Sequence, residues 1–184
     1  MAIEKGWLAD AEPCASPNCN DRPAPAEVSL LVIHSISLPP GEYGSGCVRQ
    51  FFCNELDWDA HPYFDEIRGM EVSAHLLIER DGSALQFVPF DRRAWHAGVS
   101  SFEGRENCND FSIGIELEGS DTEAYTDAQY SALAAITGEL MAAYPAITPD
   151  RITGHSDIAP GRKTDPGPGF DWQRFRALLT EVTR

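Results

Sequence analysis

Near the C-terminus, the stretch Gly154-His155-Ser156-Asp157-Ile158-Ala159-Pro160-Gly161-Arg162-Lys163-Thr164-Asp165-Pro166-Gly167 places a histidine, a lysine and an aspartate within eleven positions. Imidazole nitrogen and carboxylate oxygen are donors that suit zinc, and a lysine between them is a fixed positive charge beside such an ion. Proline lacks an amide donor and glycine costs backbone entropy, so the run is expected as an open loop, neither a helix interior nor a central strand. A zinc site needs at least one ligand more. Among His34, His61, His75 and His96, the best placed is His34. It ends the apolar run Val28 to His34 (VSLLVIH), which reads as a strand buried on both faces. Side chains at the carboxyl end of such a strand face the crevice of an α/β sheet. Two histidines and one aspartate, with a fourth position open, form the ligand set of a catalytic zinc. Each residue alone has an ordinary reading: a hydrogen-bonded strand-end histidine, an aspartate starting a turn before Pro166, a solvated lysine. The combination is what points to chemistry.

Water activated beside zinc needs a carboxylate to take and return its proton. Phe111 to Glu118 (FSIGIELE) is the clearest alternating strand, with Ile113, Ile115 and Leu117 on one face and Gly114, Glu116 and Glu118 on the other. Glu116 has open space beside it at Gly114, and a carboxylate there must be paired or face a wet cleft. A solvent-exposed polar face would explain both glutamates equally well, and periodicity does not choose between Glu116 and Glu118. Lys163 would meet the oxyanion of a tetrahedral intermediate.

The elements that must position these groups read as follows. Residues 47–56 form a short helix. Ser73 to Glu79 and Ala84 to Phe90 are strands joined by a hairpin turn at Arg80-Asp81-Gly82-Ser83. Thr126-Asp127-Ala128-Gln129 is a capping box, opening a helix that Pro145 stops. Asp171 caps a last helix whose inner face carries Trp172, Phe175, Leu178 and Leu179. Residues 9–27, rich in Ala, Pro, Asn and Asp, are irregular. The expected fold is therefore α/β: one domain over residues 1–184, with an irregular wrap (1–27) and a core (28–184) in which a central mixed sheet is flanked by helices.

The 184 residues suffice for one buried core, and 42% apolar with 23% charged residues is ordinary for a globular chain. A formal charge of -15 argues against nucleic acid or an anionic membrane as partner. No apolar run is long enough to span a bilayer, and Met1 to Trp7 shows no basic segment leading into an apolar one. Five cysteines at irregular spacing cannot all pair within one chain. These features make a cytoplasmic location, with free thiols, the expectation.

Several segments together resemble the zinc-dependent N-acetylmuramoyl-L-alanine amidases, specifically the cytosolic 1,6-anhydro-N-acetylmuramyl-L-alanine amidases of Gram-negative bacteria. They are Leu31-Val32-Ile33-His34 with Ile36-Ser37-Leu38-Pro39-Pro40-Gly41, Ala60-His61-Pro62-Tyr63-Phe64, Val72-Ser73-Ala74-His75 and Trp95-His96-Ala97-Gly98-Val99-Ser100-Ser101. Cys108-Asn109-Asp110-Phe111-Ser112-Ile113-Gly114-Ile115-Glu116 and Arg162-Lys163-Thr164-Asp165-Pro166-Gly167-Pro168 complete the set, and the likeness runs from Gly6 to Leu178. The resemblance implies zinc on His34, His155 and Asp165, Glu116 rather than Glu118 as general base, and Lys163 as oxyanion stabiliser. It implies a fold shared with peptidoglycan recognition proteins and phage-type amidases. It also implies hydrolysis of the amide between 1,6-anhydro-N-acetylmuramic acid and L-alanine of an anhydromuropeptide, in peptidoglycan recycling, whose loss can induce β-lactamase.

By the same resemblance Tyr63, Phe64, Trp95 and His96 line the sugar and peptide cleft, although Trp95 and His96 fit a packed aromatic corner as well. His61 and His75 are structural. Ser35 stands where these enzymes usually carry Asn, Ser156-Asp157 replaces Cys-Asn, and Glu71 and Asn107 stand where arginines would meet peptide carboxylates. Arg105 and Arg162, with Arg68, are the candidates to compensate. A peptidoglycan-binding module without catalysis and a periplasmic amidase of intact murein are the rival readings; an intact ligand set with base and lysine opposes the first, and the cysteines and the N-terminal residues oppose the second. Oligomeric state is not legible in the sequence.

Overall fold

The computed structural model describes residues 2–25 and 27–184; Met1 and Ala26, the latter within the expected irregular wrap, lie outside the described residues. Six strands form the main sheet: β1 (Glu12–Pro13), β2 (Leu30–Ile36), β3 (Leu76–Ile78), β4 (Ala84–Gln86), β5 (Ser112–Glu118) and β6 (Ile152–Gly154). Their order is β6-β2-β5-β3-β4-β1, with every neighbouring pair parallel except the β3–β4 hairpin. The sheet is mixed and flanked by helices, as the element order implies.

Side-chain alternation divides the two central strands cleanly. Leu31 and Ile33 of β2, and Ile113, Ile115 and Leu117 of β5, face helices α2 (Asp127–Ala143) and α4 (Trp172–Val182). There they meet Leu133, Ile136 and Leu140 of α2 and Phe175 and Leu179 of α4 in one cluster. Each fully buried aliphatic side chain of this kind contributes about 1.5–3 kcal/mol. The opposite face carries Leu30, Val32 and His34 on β2 and Ser112, Gly114, Glu116 and Glu118 on β5. Every residue of β5 is buried, so that face is not the solvent-exposed one that polar alternation alone allowed. The loops around Ala97, Cys108 and Ile158 cover it.

Other expected elements are shorter than their apolar runs. Strand 73–79 contracts to β3 and strand 84–90 to β4, since Val88 and Phe90 stay buried after the ladder ends before Pro89. Helix α1 covers Cys47–Phe52 rather than 47–56, and Asn54 beyond it has a left-handed φ of 59°. The N-terminal wrap is more regular than expected. β1 extends the sheet beside β4, Cys19–Asn20 pairs with Arg93–Ala94, and Ile3–Glu4 pairs with Trp7–Leu8. These two-residue strands are too short to leave a periodic signal. The wrap is also anchored by Arg22, whose guanidinium donates to the carbonyls of Phe90, Asn109 and Ser112.

The capping box of α2 is present. Thr126 Oγ1 accepts from the Gln129 amide at 3.1 Å, and Gln129 Oε1 accepts from the Thr126 amide at 3.1 Å. Thr126→Ala is therefore expected to lower unfolding free energy by about 1 kcal/mol. Urea denaturation checks this: the midpoint should fall while the slope of the transition stays at the wild-type value.

Candidate metal centre and active site

His34 lies near the carboxyl end of β2, in register with Glu116 of β5, which is in turn in register with Leu77 of β3. Parallel partners share a face, so the imidazole and the carboxylate stand side by side on the covered side of the sheet. His155 follows β6 directly. The expected open loop is here corrected: Gly154 ends a strand and His155–Ile158 form a single helical turn, α3. Its proline and glycines fall after that turn, leaving it free to form. Asp157 closes it, its Oδ2 accepting from the Gly154 amide at 3.0 Å and from Thr153 Oγ1 at 2.8 Å. Asp165 returns to this point, its carbonyl accepting from the Ser156 amide at 3.0 Å.

Three donor atoms converge. His34 Nδ1 and His155 Nδ1 are 3.0 Å apart, and each lies 3.1 Å from Asp165 Oδ2. Both imidazoles are buried. His155 Nε2 lies 3.1 Å from the Ala97 carbonyl, which can only accept, so Nε2 carries the proton and Nδ1 presents a lone pair. Electron-pair donors crowded this closely in a buried place suit a shared cation, and the trio is a group that could hold a metal ion. Burial pushes the His34 imidazole down to about 4, toward the neutral form that a metal needs. Burial alone would raise the Asp165 carboxyl, but the two imidazoles beside it hold it below the usual carboxylate range.

Glu116 has the opposite character. Burial, and then the Asp165 charge, push its carboxyl well above the ordinary value, with Lys163 opposing. Its Oε2 is buried without a hydrogen-bond partner. Glu118 is engaged elsewhere: its Oε1 accepts from the Gly44 amide at 2.6 Å and its Oε2 from the Arg80 amide at 3.3 Å. The structure thus separates two glutamates that periodicity leaves equivalent.

A cleft of about 480 Å³ opens over this cluster. His34, His155, Asp165, Glu116, Lys163, Ser35, Tyr63, Trp95 and His96 all line it. Lys163 is exposed at its edge. Trp95 is held by its indole N–H, which donates to Asn20 Oδ1 at 2.9 Å. Three residues expected at the substrate stand off the cleft lining. Phe64 is 1% exposed and packs in the apolar cluster with Phe52 and Phe87, because the turn Pro62–Ile67 directs it inward while Tyr63 faces the cleft. Arg162 donates to the carbonyls of Ala97 and Val99 at 2.6 and 2.7 Å, outside the cleft lining. Arg105 lies over the Phe111 ring, 4.0 Å from its centroid, and also off the lining. Arg68 pairs with Asp59 and Asp65 on the surface. His61 caps the turn at Tyr63, and His75 Nδ1 accepts from the Gly114 amide at 3.0 Å, both structural positions.

The family model for N-acetylmuramoyl-L-alanine amidase matches residues 24–168, a span that contains every ligand candidate and Glu116. The chain belongs to the N-acetylmuramoyl-L-alanine amidase family. It is 62% identical over 179 residues to a 1,6-anhydro-N-acetylmuramyl-L-alanine amidase AmpD of Salmonella typhimurium, covering 97% of this chain and 95% of that one. A crystal structure of a selenomethionine AmpD derivative superposes with a TM-score of 0.95 at 60% identity, over 97% of this chain and 99% of that chain. The structure of AmpDH3 from Pseudomonas aeruginosa in complex with anhydromuramic pentapeptide aligns at a TM-score of 0.64 and 29% identity, over 84% of this chain and 62% of that chain.

Two residues of this amidase site escape sequence reasoning. Asp121 accepts from Ser35 Oγ at 3.2 Å and from the Thr164 hydroxyl, tying the strand of His34 to the loop of Asp165. Asn109 Oδ1 accepts from the amides of His96 and Ala97 at 3.1 and 2.8 Å. Neither carries a periodic or spacing signal. The apolar wall of the cleft includes Ile36, Leu38, Phe51 and Phe52, to which the sequence reading assigned no site role.

Burial also holds His75 down to about 3 and His96 well below 6.5. Folded-state values below the unfolded ones mean that the unfolded chain takes up protons first. Stability in metal-free buffer is thus expected to fall as pH drops from about 6.5 toward about 4. Glu116 acts in the opposite sense, being one carboxyl against three imidazoles. Urea melts between pH 7.5 and 4.5 after chelation test this, and stability that is flat or rising toward acid would refute neutral burial of the histidines.

Proposed function

We propose that this chain is a zinc enzyme that hydrolyses the amide between the lactyl group of 1,6-anhydro-N-acetylmuramic acid and L-alanine of the stem peptide, in cytosolic recycling of cell-wall fragments. The observation that carries the reading is the unpartnered, buried Oε2 of Glu116 beside the His34–His155–Asp165 trio, at the floor of one cleft. Relatives that carry this activity in their names, and a neighbour that holds an anhydromuramic pentapeptide, support the substrate class. Five cysteines leave at least one thiol unpaired within the chain, and Cys108 is a buried one. No helix among the described residues is long and apolar enough to cross a membrane.

His34, His155 and Asp165 would hold the zinc, which when bound supplies Lewis acidity toward the amide carbonyl and toward water. Glu116 takes the proton of the attacking water at its free oxygen and returns it to the leaving L-alanine nitrogen. Its raised proton affinity suits both transfers near neutral pH. Lys163, at the rim of the same cleft, meets the negative charge that develops on the carbonyl oxygen. Tyr63 and Trp95 offer aromatic faces to the sugar and peptide. With Arg105 and Arg162 off the lining, the stem-peptide carboxylates meet less fixed positive charge than the resemblance implies.

Glu116→Gln should lower kcat by roughly 10²–10⁴ with zinc content unchanged by metal analysis. Near-normal turnover with zinc bound would remove Glu116 from the mechanism. Lys163→Ala is expected to cost about 10²–10³ in kcat. Mass spectrometry of digests of anhydromuropeptide and of polymeric murein, run in parallel with zinc, should show free stem peptide released mainly from the anhydro substrate. Release from neither would favour a binding module, and preference for the polymer would favour an amidase of intact murein.

A further inference from the structure

The hydrogen bonds behind the metal site run in one direction. Ser112 Oγ lies 2.6 Å from the Cys108 carbonyl, which only accepts, so the serine proton is committed there. His96 Nε2 lies 3.1 Å from the same serine oxygen and must therefore be the donor. That leaves His96 Nδ1 as a lone pair. His34 Nε2, 2.9 Å away, donates to it. His34 consequently carries its proton on Nε2 and presents a bare Nδ1 to His155 and Asp165.

The surroundings are built to hold this arrangement. The His96 and His34 rings meet edge to face at 5.0 Å. A Cβ at Gly114 would come within 2.5 Å of the His96 ring, so a glycine is what lets the imidazole lie against β5. Asn109 Oδ1 fixes the His96 and Ala97 amides together. The Ala97 carbonyl, in turn, accepts from His155 Nε2 and from Arg162 Nη2. One dipeptide therefore orients the far nitrogens of both candidate metal histidines, through the ring of His96 and through the carbonyl of Ala97.

We propose that His96 is a positioning residue, which with Ser112 sets the tautomer and ring orientation of His34 for metal binding. This rests on the reading of His34 as a metal ligand. Partners of this kind typically account for 10- to 100-fold in metal affinity. A neutral imidazole in this place accepts a hydrogen bond without adding negative charge behind the ligand, unlike a carboxylate.

The test pairs two variants. His96→Leu removes the acceptor, whereas His96→Asn puts an amide oxygen near the place of Nδ1. Long-range ¹⁵N–¹H spectra of the metal-free wild type should show both His34 and His96 protonated at Nε2, and His96→Leu should lose that single-tautomer signature at His34. Competition with a chelator should show zinc binding weakened about 10- to 100-fold in His96→Leu and largely recovered in His96→Asn. Protonation of wild-type His34 at Nδ1, or zinc affinity and a His34 signature both unchanged in His96→Leu, overturns the assignment. A wild-type protein that shows the expected tautomers and binds no zinc overturns the metal reading beneath it and the positioning role with it.

Discussion

A buried carboxylate and a buried imidazole on neighbouring strands are the constraint to which the rest of this molecule answers. His34 and Glu116 are register partners on one face of a sheet covered on both sides. Neither can turn away, because a one-residue slip would exchange them for Ile33 and Ile115, and would drive the charged set into the helix-side core. His155 and Asp165 add two more electron-pair donors at 3.0–3.1 Å. Such a group needs a proton or a cation shared among its members, since a buried acceptor left without a partner costs about 1–3 kcal/mol. The opposite face compensates. There, α2 and α4 cover β2 and β5 mainly with aliphatic and aromatic side chains, with Gln129 and Thr137 as the buried polar residues of α2.

Much of this was legible in the residues. His34 could be placed because a continuous apolar run needs two covered faces, and the histidine ending it must point somewhere exceptional. His155, Lys163 and Asp165 were legible as donor types in a run poor in regular structure. The choice of Glu116 over Glu118 was not, since both share a face and a period of two. What distinguishes the two is that the amides of Gly44 and Arg80 come from distant loops to Glu118, whereas Glu116 Oε2 is buried without a partner. Phe64 was misplaced for a related reason: a resemblance carries residue type but not the side of a tight turn. Arg105 and Arg162 lie off the cleft lining, held by a ring and by carbonyls that are visible only in three dimensions. The short N-terminal strands fell below any periodic signal, yet their segment brings Asn20 to Trp95 and Arg22 to the back of the sheet.

The loop that carries Lys163 and Asp165 is tethered at several points along its length. Ser156 bonds the Asp165 carbonyl, Tyr125 Oη donates to the Pro166 carbonyl at 2.9 Å, and the Gly169 amide donates to the Asp121 carbonyl at 2.7 Å. Gly167 sits at a φ of +73° against Asp121, a close approach that a side chain would block. The Gly/Pro content first excludes long regular elements and then permits this close packing. Asp121 belongs to both sides, receiving Ser35 from the strand of His34 and Thr164 from the loop of Asp165. The strand of His34 and the loop of Asp165 are therefore joined through Asp121 by two hydrogen bonds.

Such tethering matters because electrostatic catalysis depends on groups that need not reorganise when charge develops. The His96–Ala97 segment, the Asp121 bridge and the α3 turn each fix a different ligand by bonds to backbone or to neutral side chains. Arg162 brings a formal charge to this segment, its Nη2 lying 3.5 Å from His155 Nε2, while the Asp121 carboxylate is occupied by two hydroxyls. The charged side chains that line the cleft are Asp121, Asp165, Glu116 and Lys163. Of these, Lys163 alone is exposed, and it stands where a substrate closing over the cleft would strip its water and strengthen its charge toward a developing oxyanion. The rigid part of the site thus sets the ligands and the base, and the substrate itself completes the environment of the lysine.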